Sequence, residues 1–201
     1  MKKLNFIIKC GLALLLLSFY SCESWLNVTP SDRLSEEMLF NDREGFVKAL
    51  NGVYIELNTN ELYGRNLTAG ALDVMGQYYS VASSSHAFYN YGGLVYTGND
   101  EKALFNNMWQ KCYAVIACCN TIIEKCDENK AGLSPVWRGS IKGEALALRA
   151  MLHFDMLRLF GPLTSELDKE SIPYQTTSDQ TVTPLLSGSE VVGLILDDLK
   201  N

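Results

Sequence analysis

Among the side chains of this 201-residue chain, Cys22 carries the clearest chemical signal. Lys2 and Lys3 open the sequence, a mostly apolar run extends from Leu12 to Tyr20, and Ser21 stands directly before the cysteine. A basic start, a short apolar centre and a small residue at the cut make a secretory signal peptide. A cysteine immediately after the cut is the pattern of a bacterial lipoprotein, whose thiol receives a lipid and whose new amino terminus is acylated. Phe19 and Tyr20 occupy positions where small or aliphatic residues are usual. The stretch from Leu4 to Tyr20 holds Asn5 and Lys9 and falls short of the roughly 20 apolar residues of a membrane span. The expectation is a leader over residues 1–21 and a lipid on Cys22.

Other reactive groups are few. Cys112, Cys118, Cys119 and Cys126 fall in one window that reads as helical. Residues seven apart on a helix lie about 10 Å apart along its axis, too far for a disulfide. Their spacing is not that of a zinc knuckle, so all four read as small apolar core residues, and no metal or cofactor is expected. His153 lies inside an apolar sector and reads as a buried histidine with its hydrogen bonds satisfied. Glu166, Asp168 and Glu170 crowd a polar stretch and read as solvated surface. No nucleophile elbow or metal motif appears, so an enzyme is not expected.

These residues sit on a helical framework. Asp42 caps a helix with Phe46, Leu50, Val53, Tyr54 and Leu57 on one face, ending at Asn58 to Asn60. Residues 61–76 are less regular, with helix from about Ala69. Residues 77–100 keep neither a helical nor a strand period; they read as a long loop rich in tyrosine, glycine and serine, and long loops are often functional. Phe105, Trp109, Cys112, Ile116, Cys119, Ile123 and Cys126 then form one stripe, widened by Met108, Val115 and Ile122. That helix stops near Asn129. A second runs from Val136 to Phe160 and is closed by Gly161 and Pro162. Its short link to the first makes an antiparallel hairpin, with Glu144 and Arg149 either a buried pair able to fix register or exposed residues that contribute little. Residues 163–187 read as loop. Val191, Val192, Ile195, Leu196 and Leu199 start a last amphipathic helix, whose apolar face suggests part of a longer protein.

Charge narrows the partners. Removing a leader with three lysines and no acid takes the formal charge from −6 to −9. Such a surface argues against nucleic acid and against electrostatic docking on anionic lipid. It suits a neutral ligand or a protein.

Several landmarks occur in order: Cys22; Trp25-Leu26-Asn27-Val28-Thr29-Pro30; Ala49-Leu50-Asn51-Gly52-Val53-Tyr54; Trp109, Tyr113 and Ile116; and Asn120-Thr121-Ile122-Ile123. Gly143-Glu144-Ala145-Leu146-Ala147-Leu148-Arg149-Ala150, Arg158-Leu159-Phe160-Gly161-Pro162, Ile172-Pro173-Tyr174 and Asp197-Asp198-Leu199 follow. The series resembles the N-terminal part of the SusD/RagB family of nutrient-uptake outer-membrane lipoproteins of Bacteroidetes, over nearly all of residues 22–201. The resemblance implies an all-α fold of tetratricopeptide-like helix pairs with long irregular loops. It implies a non-enzymatic binding protein, lipid-anchored at the outer membrane and exposed at the cell surface. The partner would be a SusC-like TonB-dependent transporter, importing oligosaccharides or peptides. The family is longer than this chain, so a helical scaffold that contacts the transporter without binding ligand stays open. For a sugar, the 77–100 loop offers Tyr89, Tyr91 and Tyr96 as stacking platforms and Asn90, Asn99 and Asp100 as polar partners. The same tyrosines also suit packing of the loop onto the helices or the transporter.

Overall fold

Capping chemistry sets where the principal helices begin. Asp42 accepts a hydrogen bond from the Gly45 amide at 2.9 Å and starts α2, Arg43–Leu57, after the single turn α1, Glu36–Leu39. Gly45 is obligatory: a Cβ there would lie 1.5 Å from the Leu39 carbonyl oxygen. Two short helices, α3 (Ala71–Met75) and α4 (Tyr89–Gly92), precede α5, Asn99–Glu128. Ser134 caps α6, Pro135–Phe160, with proline at the first helical position, where its missing N–H costs nothing. Ser187 and Glu190 form a reciprocal capping box that starts α7, Gly188–Lys200. The computed structural model describes residues 36–179 and 181–201. The expected leader, Cys22 and the Trp25–Pro30 segment lie outside the described residues.

Pairs of contacts give the helix directions. Asp127 meets Lys142 and Asn120 meets Arg149, so the order reverses between α5 and α6 and the two are antiparallel. Arg43 lies over Trp137 and Tyr54 bonds Glu144, so α2 runs parallel to α6. The core between them holds Phe46, Leu50, Val53 and Leu57 from α2 and the predicted stripe of α5 from Cys112 onward. Ile141, Ala145, Leu148 and Leu152 are the expected inner face of α6. Each fully buried aliphatic side chain contributes about 1.5–3 kcal/mol.

Four details differ from the sequence reading. Tyr54 is half exposed and donates to Glu144 Oε1 at 2.7 Å instead of joining the apolar face. Cys118 is exposed, leaving three of the four cysteines in the core. Burial pushes the Cys119 thiol up to about 12 and Cys126 up to about 11, so both stay protonated. Arg149 does not pair with Glu144, because five residues at about 100° each place them on opposite sides of a helix. Residues 163–187 hold a 3₁₀ turn, Thr164–Glu166, and two antiparallel strands, β1 (Glu170–Pro173) and β2 (Leu185–Ser187). Glu170 faces Ser187 and Pro173 faces Leu185, with an irregularity between.

A buried polar node locks these parts together. Arg149 donates through Nε and Nη2 to both oxygens of Asp198, each at 2.7 Å, and through Nη1 to Asn120 Oδ1 at 2.8 Å. Tyr174 donates to Asp198 Oδ2 at 2.6 Å and stacks on His153 with centroids 3.9 Å apart. Asn120 Nδ2 donates to the carbonyls of Gln175 and Thr177 at 3.1 and 2.9 Å. The Gln175 amide donates to His153 Nε2 at 3.0 Å. His153 Nδ1 therefore carries the proton and donates to the Arg149 carbonyl at 2.9 Å. Burial holds the imidazole down at about 4. The expected satisfied histidine is found, fixed by two backbone groups.

Candidate functional site

The stretch from residue 77 to 98 is fastened at both ends. Gln77 and Leu94 adopt left-handed backbone, at φ 60° and 53°, a conformation that costs a non-glycine residue about 1–2 kcal/mol. Gln77 Nε2 donates to the Gly92 carbonyl at 2.9 Å, closing the segment on itself. The Tyr79 hydroxyl donates to the Ala69 carbonyl and, at 3.3 Å, to that of Gly70. Asn90 Nδ2 donates to Glu101 Oε1 at 2.7 Å, which joins the loop to the start of α5. Gly98 makes room for that carboxylate, since a Cβ there would stand 1.9 Å from Glu101 Oε2.

These ties frame a pocket of about 340 Å³. Gln77, Tyr79, Ser80, Tyr89, Asn90 and Val95 supply its main side chains. Of the residues expected to bind, Tyr89 and Asn90 line it. Tyr89 is 42% exposed and Tyr96 38%. Tyr96 lies edge-on to Phe105, 5.4 Å between centroids, outside the pocket lining. Tyr91 is buried, 2% exposed, between Phe88 and Phe105 at 5.8 and 6.0 Å. Asn99 and Asp100 are exposed in the first turn of α5, which begins two residues earlier than the sequence suggested. The expected loop also contains one helical turn, α4. Trp109, read as core, and Tyr113 pack beneath: Trp109 meets Phe160 at 5.0 Å and Tyr113 donates to the Pro173 carbonyl at 2.9 Å.

The ionisable groups of the loop hold fixed states. Burial raises the Tyr91 hydroxyl, with Glu101 and Asp100 adding to it, and burial also raises that of Tyr96, so both are neutral at physiological pH. The Asn90 amide lowers the Glu101 carboxyl, which stays ionised. Aromatic faces, amides and hydroxyls suit a neutral, hydroxyl-rich or peptide-like ligand. Among the described residues, no cluster of His, Cys, Asp and Glu could hold a metal ion, and no helix is long and apolar enough to cross a membrane. Gln77, Ser80 and Val95 carried no sequence signal, because a positive φ after Gly76 and a side chain reaching Gly92 are products of tertiary closure.

Known proteins place the chain. A family model described as "Starch-binding associating with outer membrane" matches residues 24–200. SusD-like protein P38 of Formosa agariphila is 28% identical over 197 residues, covering 90% of this chain and 33% of that protein. SusD-like protein P2 of the same organism is 25% identical over 166 residues, covering 80% and 30%. The chain thus spans about a third of the length of these relatives. Two solved SusD superfamily proteins share the fold. The one from Bacteroides fragilis has a TM-score of 0.67 at 19% identity, over 81% of this chain and 39% of that one. The one from Bacteroides thetaiotaomicron has a TM-score of 0.61 at 20% identity, over 80% and 36%. With a helical fold of the SusD type and a family match over nearly its whole length, the chain belongs to the SusD-like family.

Proposed function

We propose that this chain is the N-terminal helical part, residues 22–201, of a nutrient-binding lipoprotein at the cell surface. A lipid on Cys22 holds it to the outer membrane, and it presents oligosaccharides to a SusC-like TonB-dependent transporter. It works by binding, without catalysis. The observation that carries this reading, beside family membership, is the braced 77–98 loop. Two strained residues bracket a pocket with an exposed tyrosine ring beside amide and hydroxyl groups, and strain of this kind tends to collect at ligand sites. The ligand-contacting residues are Tyr89 and Asn90 in the pocket, with exposed Tyr96 extending the contact outside it, Tyr91 setting the loop's shape from inside and Asn99 and Asp100 at its rim.

Starch fragments are the first ligands to try, followed by a panel of other oligosaccharides and peptides. In the intact protein, Tyr89→Ala with Tyr96→Ala weakens binding about tenfold or more by calorimetry while circular dichroism stays unchanged, since both rings are partly exposed. Unaltered affinity removes the loop from the site. A second reading, a scaffold that contacts the transporter without ligand, draws on the packing of Tyr91 and Tyr96 against Phe105. Transporter pull-down together with no binding to any panel member selects it.

A further inference from the structure

The amides around the 77–98 pocket are not free to turn. Glu101 is ionised, and a carboxylate only accepts, so Asn90 sets its Nδ2 toward Glu101 and its Oδ1 away from it. The Gly92 carbonyl fixes Gln77 in the same way, with Nε2 toward the carbonyl and Oε1 away. The Tyr79 hydroxyl commits its hydrogen to the carbonyls of Ala69 and Gly70 and keeps its lone pairs. All three side chains are exposed, and none of these oxygens accepts a hydrogen bond among the described residues. The main chain of residues 92–95 adds no donor, because its amides are taken by the carbonyls of Phe88, Asn90 and Tyr91. No lysine or arginine lines the pocket, while Asp100 and Glu101 stand in the first turn of the adjoining α5.

Amides alone suit any neutral ligand, but oriented oxygens favour a ligand that donates. A sugar hydroxyl donates one hydrogen and brings two lone pairs, whereas a primary ammonium brings three N–H donors and no acceptor. Two carboxylates attract its charge, and the exposed Tyr89 ring adds a face on which a cation can lie. An N-acetyl group keeps one N–H and adds a carbonyl that meets the pocket's oxygens, and a uronic acid adds a like charge. We propose that the pocket binds an unacetylated amino-sugar unit of an oligosaccharide in preference to neutral or acidic units. Asn90 and Gln77 present the oxygens. Glu101 is a positioning residue that fixes Asn90 and supplies charge from behind it. At about 340 Å³ the pocket is at the small end of ligand clefts, about 300–1,000 Å³, and takes a sugar unit rather than a long chain. The preference rests on the reading of this loop as an oligosaccharide site.

Three trisaccharides test it by calorimetry on the full chain at neutral pH: the glucosamine trimer, its fully N-acetylated form and a galacturonic acid trimer. The glucosamine trimer binds about tenfold or more tightly than the acetylated one, and the acidic trimer does not bind. Glu101→Gln, with its circular dichroism unaltered, brings the first two within about twofold by weakening the amine alone. Should that variant fail to fold, salt gives the same answer on the wild type. Raising ionic strength from about 0.01 to 0.15 M shortens the screening length from about 30 to 8 Å, which weakens the amine trimer and spares the acetylated one. Equal affinity for amine and acetamide, or binding of the acidic trimer, overturns the proposal while the oligosaccharide reading stands. A preference for the amine that survives both Glu101→Gln and salt overturns it as well. Failure of all three trimers and of every other oligosaccharide to bind removes the reading and the preference together.

Discussion

His153 is neutral in the fold because its surroundings leave it no alternative. Its Nε2 accepts the Gln175 amide, its Nδ1–H serves the Arg149 carbonyl, and Tyr174 covers one ring face. A proton on Nε2 would set two donors against each other beside the Arg149 guanidinium. Its folded pKa, about 4, lies below the ordinary histidine value of about 6.5. The unfolded chain therefore takes up the proton first as pH falls. The stability from this site is complete above pH 6.5 and drains away between about 6.5 and 4. Its full size is about 3 kcal/mol. Urea unfolding of wild type and His153→Phe at pH 7 and pH 4.5 isolates it. The variant is weaker at pH 7 for want of its hydrogen bonds, yet loses about 2 kcal/mol less than wild type on acidification. Identical pH dependence would show that another group drives the change. Sequence alone made His153 a satisfied core residue. It did not reveal that Asn120, Arg149, Tyr174 and Asp198 join it, since these come from four separate segments.

At the level of elements, the link between α5 and α6 shows how one residue sets two helices antiparallel. Asn129 ends α5 in the left-handed conformation, at φ 46°. Its side chain accepts from the Leu133 amide at 2.8 Å and donates to the Leu133 carbonyl at 3.3 Å. Asn129→Gly keeps the conformation cheaply but loses both bonds, at a cost of about 1 kcal/mol. Asn129→Ala loses the bonds and adds the left-handed penalty, about 2–3 kcal/mol in all. Chemical denaturation ranks the two, and equal losses would show that backbone conformation plays no part. This link, the α5 stripe and the end of α6 at Gly161 were legible because long periodic segments and Gly–Pro stops are local signals. The β1–β2 pair was not, being strands of four and three residues that meet only when the intervening loop is anchored on α5. The Ser187–Glu190 capping box was readable in principle and marks the true start of α7. Of the pocket's lining, composition singled out Tyr89 and Asn90. Which tyrosine faces inward was not legible, because a loop without period gives no face to count from.

For the molecule as a whole, the remaining question is what keeps it at a membrane. Its formal charge of −6, or −9 once a three-lysine leader is removed, repels it from anionic headgroups. Acyl chains have no such difficulty: each buried methylene contributes about 0.8 kcal/mol, one chain alone binds marginally, and two or more anchor stably. A cysteine bearing a lipid on sulfur and a further acyl group on its amino terminus satisfies that arithmetic, and Cys22 follows basic and then apolar residues in the order that a lipoprotein leader would have. Metabolic labelling with a palmitate analogue marks the wild-type protein, which fractionates with membranes. Cys22→Ala takes up no label and moves to the soluble fraction, with its circular dichroism unaltered. Equal labelling of the two would place the lipid elsewhere. Loss of label with retention at the membrane would instead make a protein contact the anchor, so the two readouts taken together separate a lipid tether from docking on a transporter.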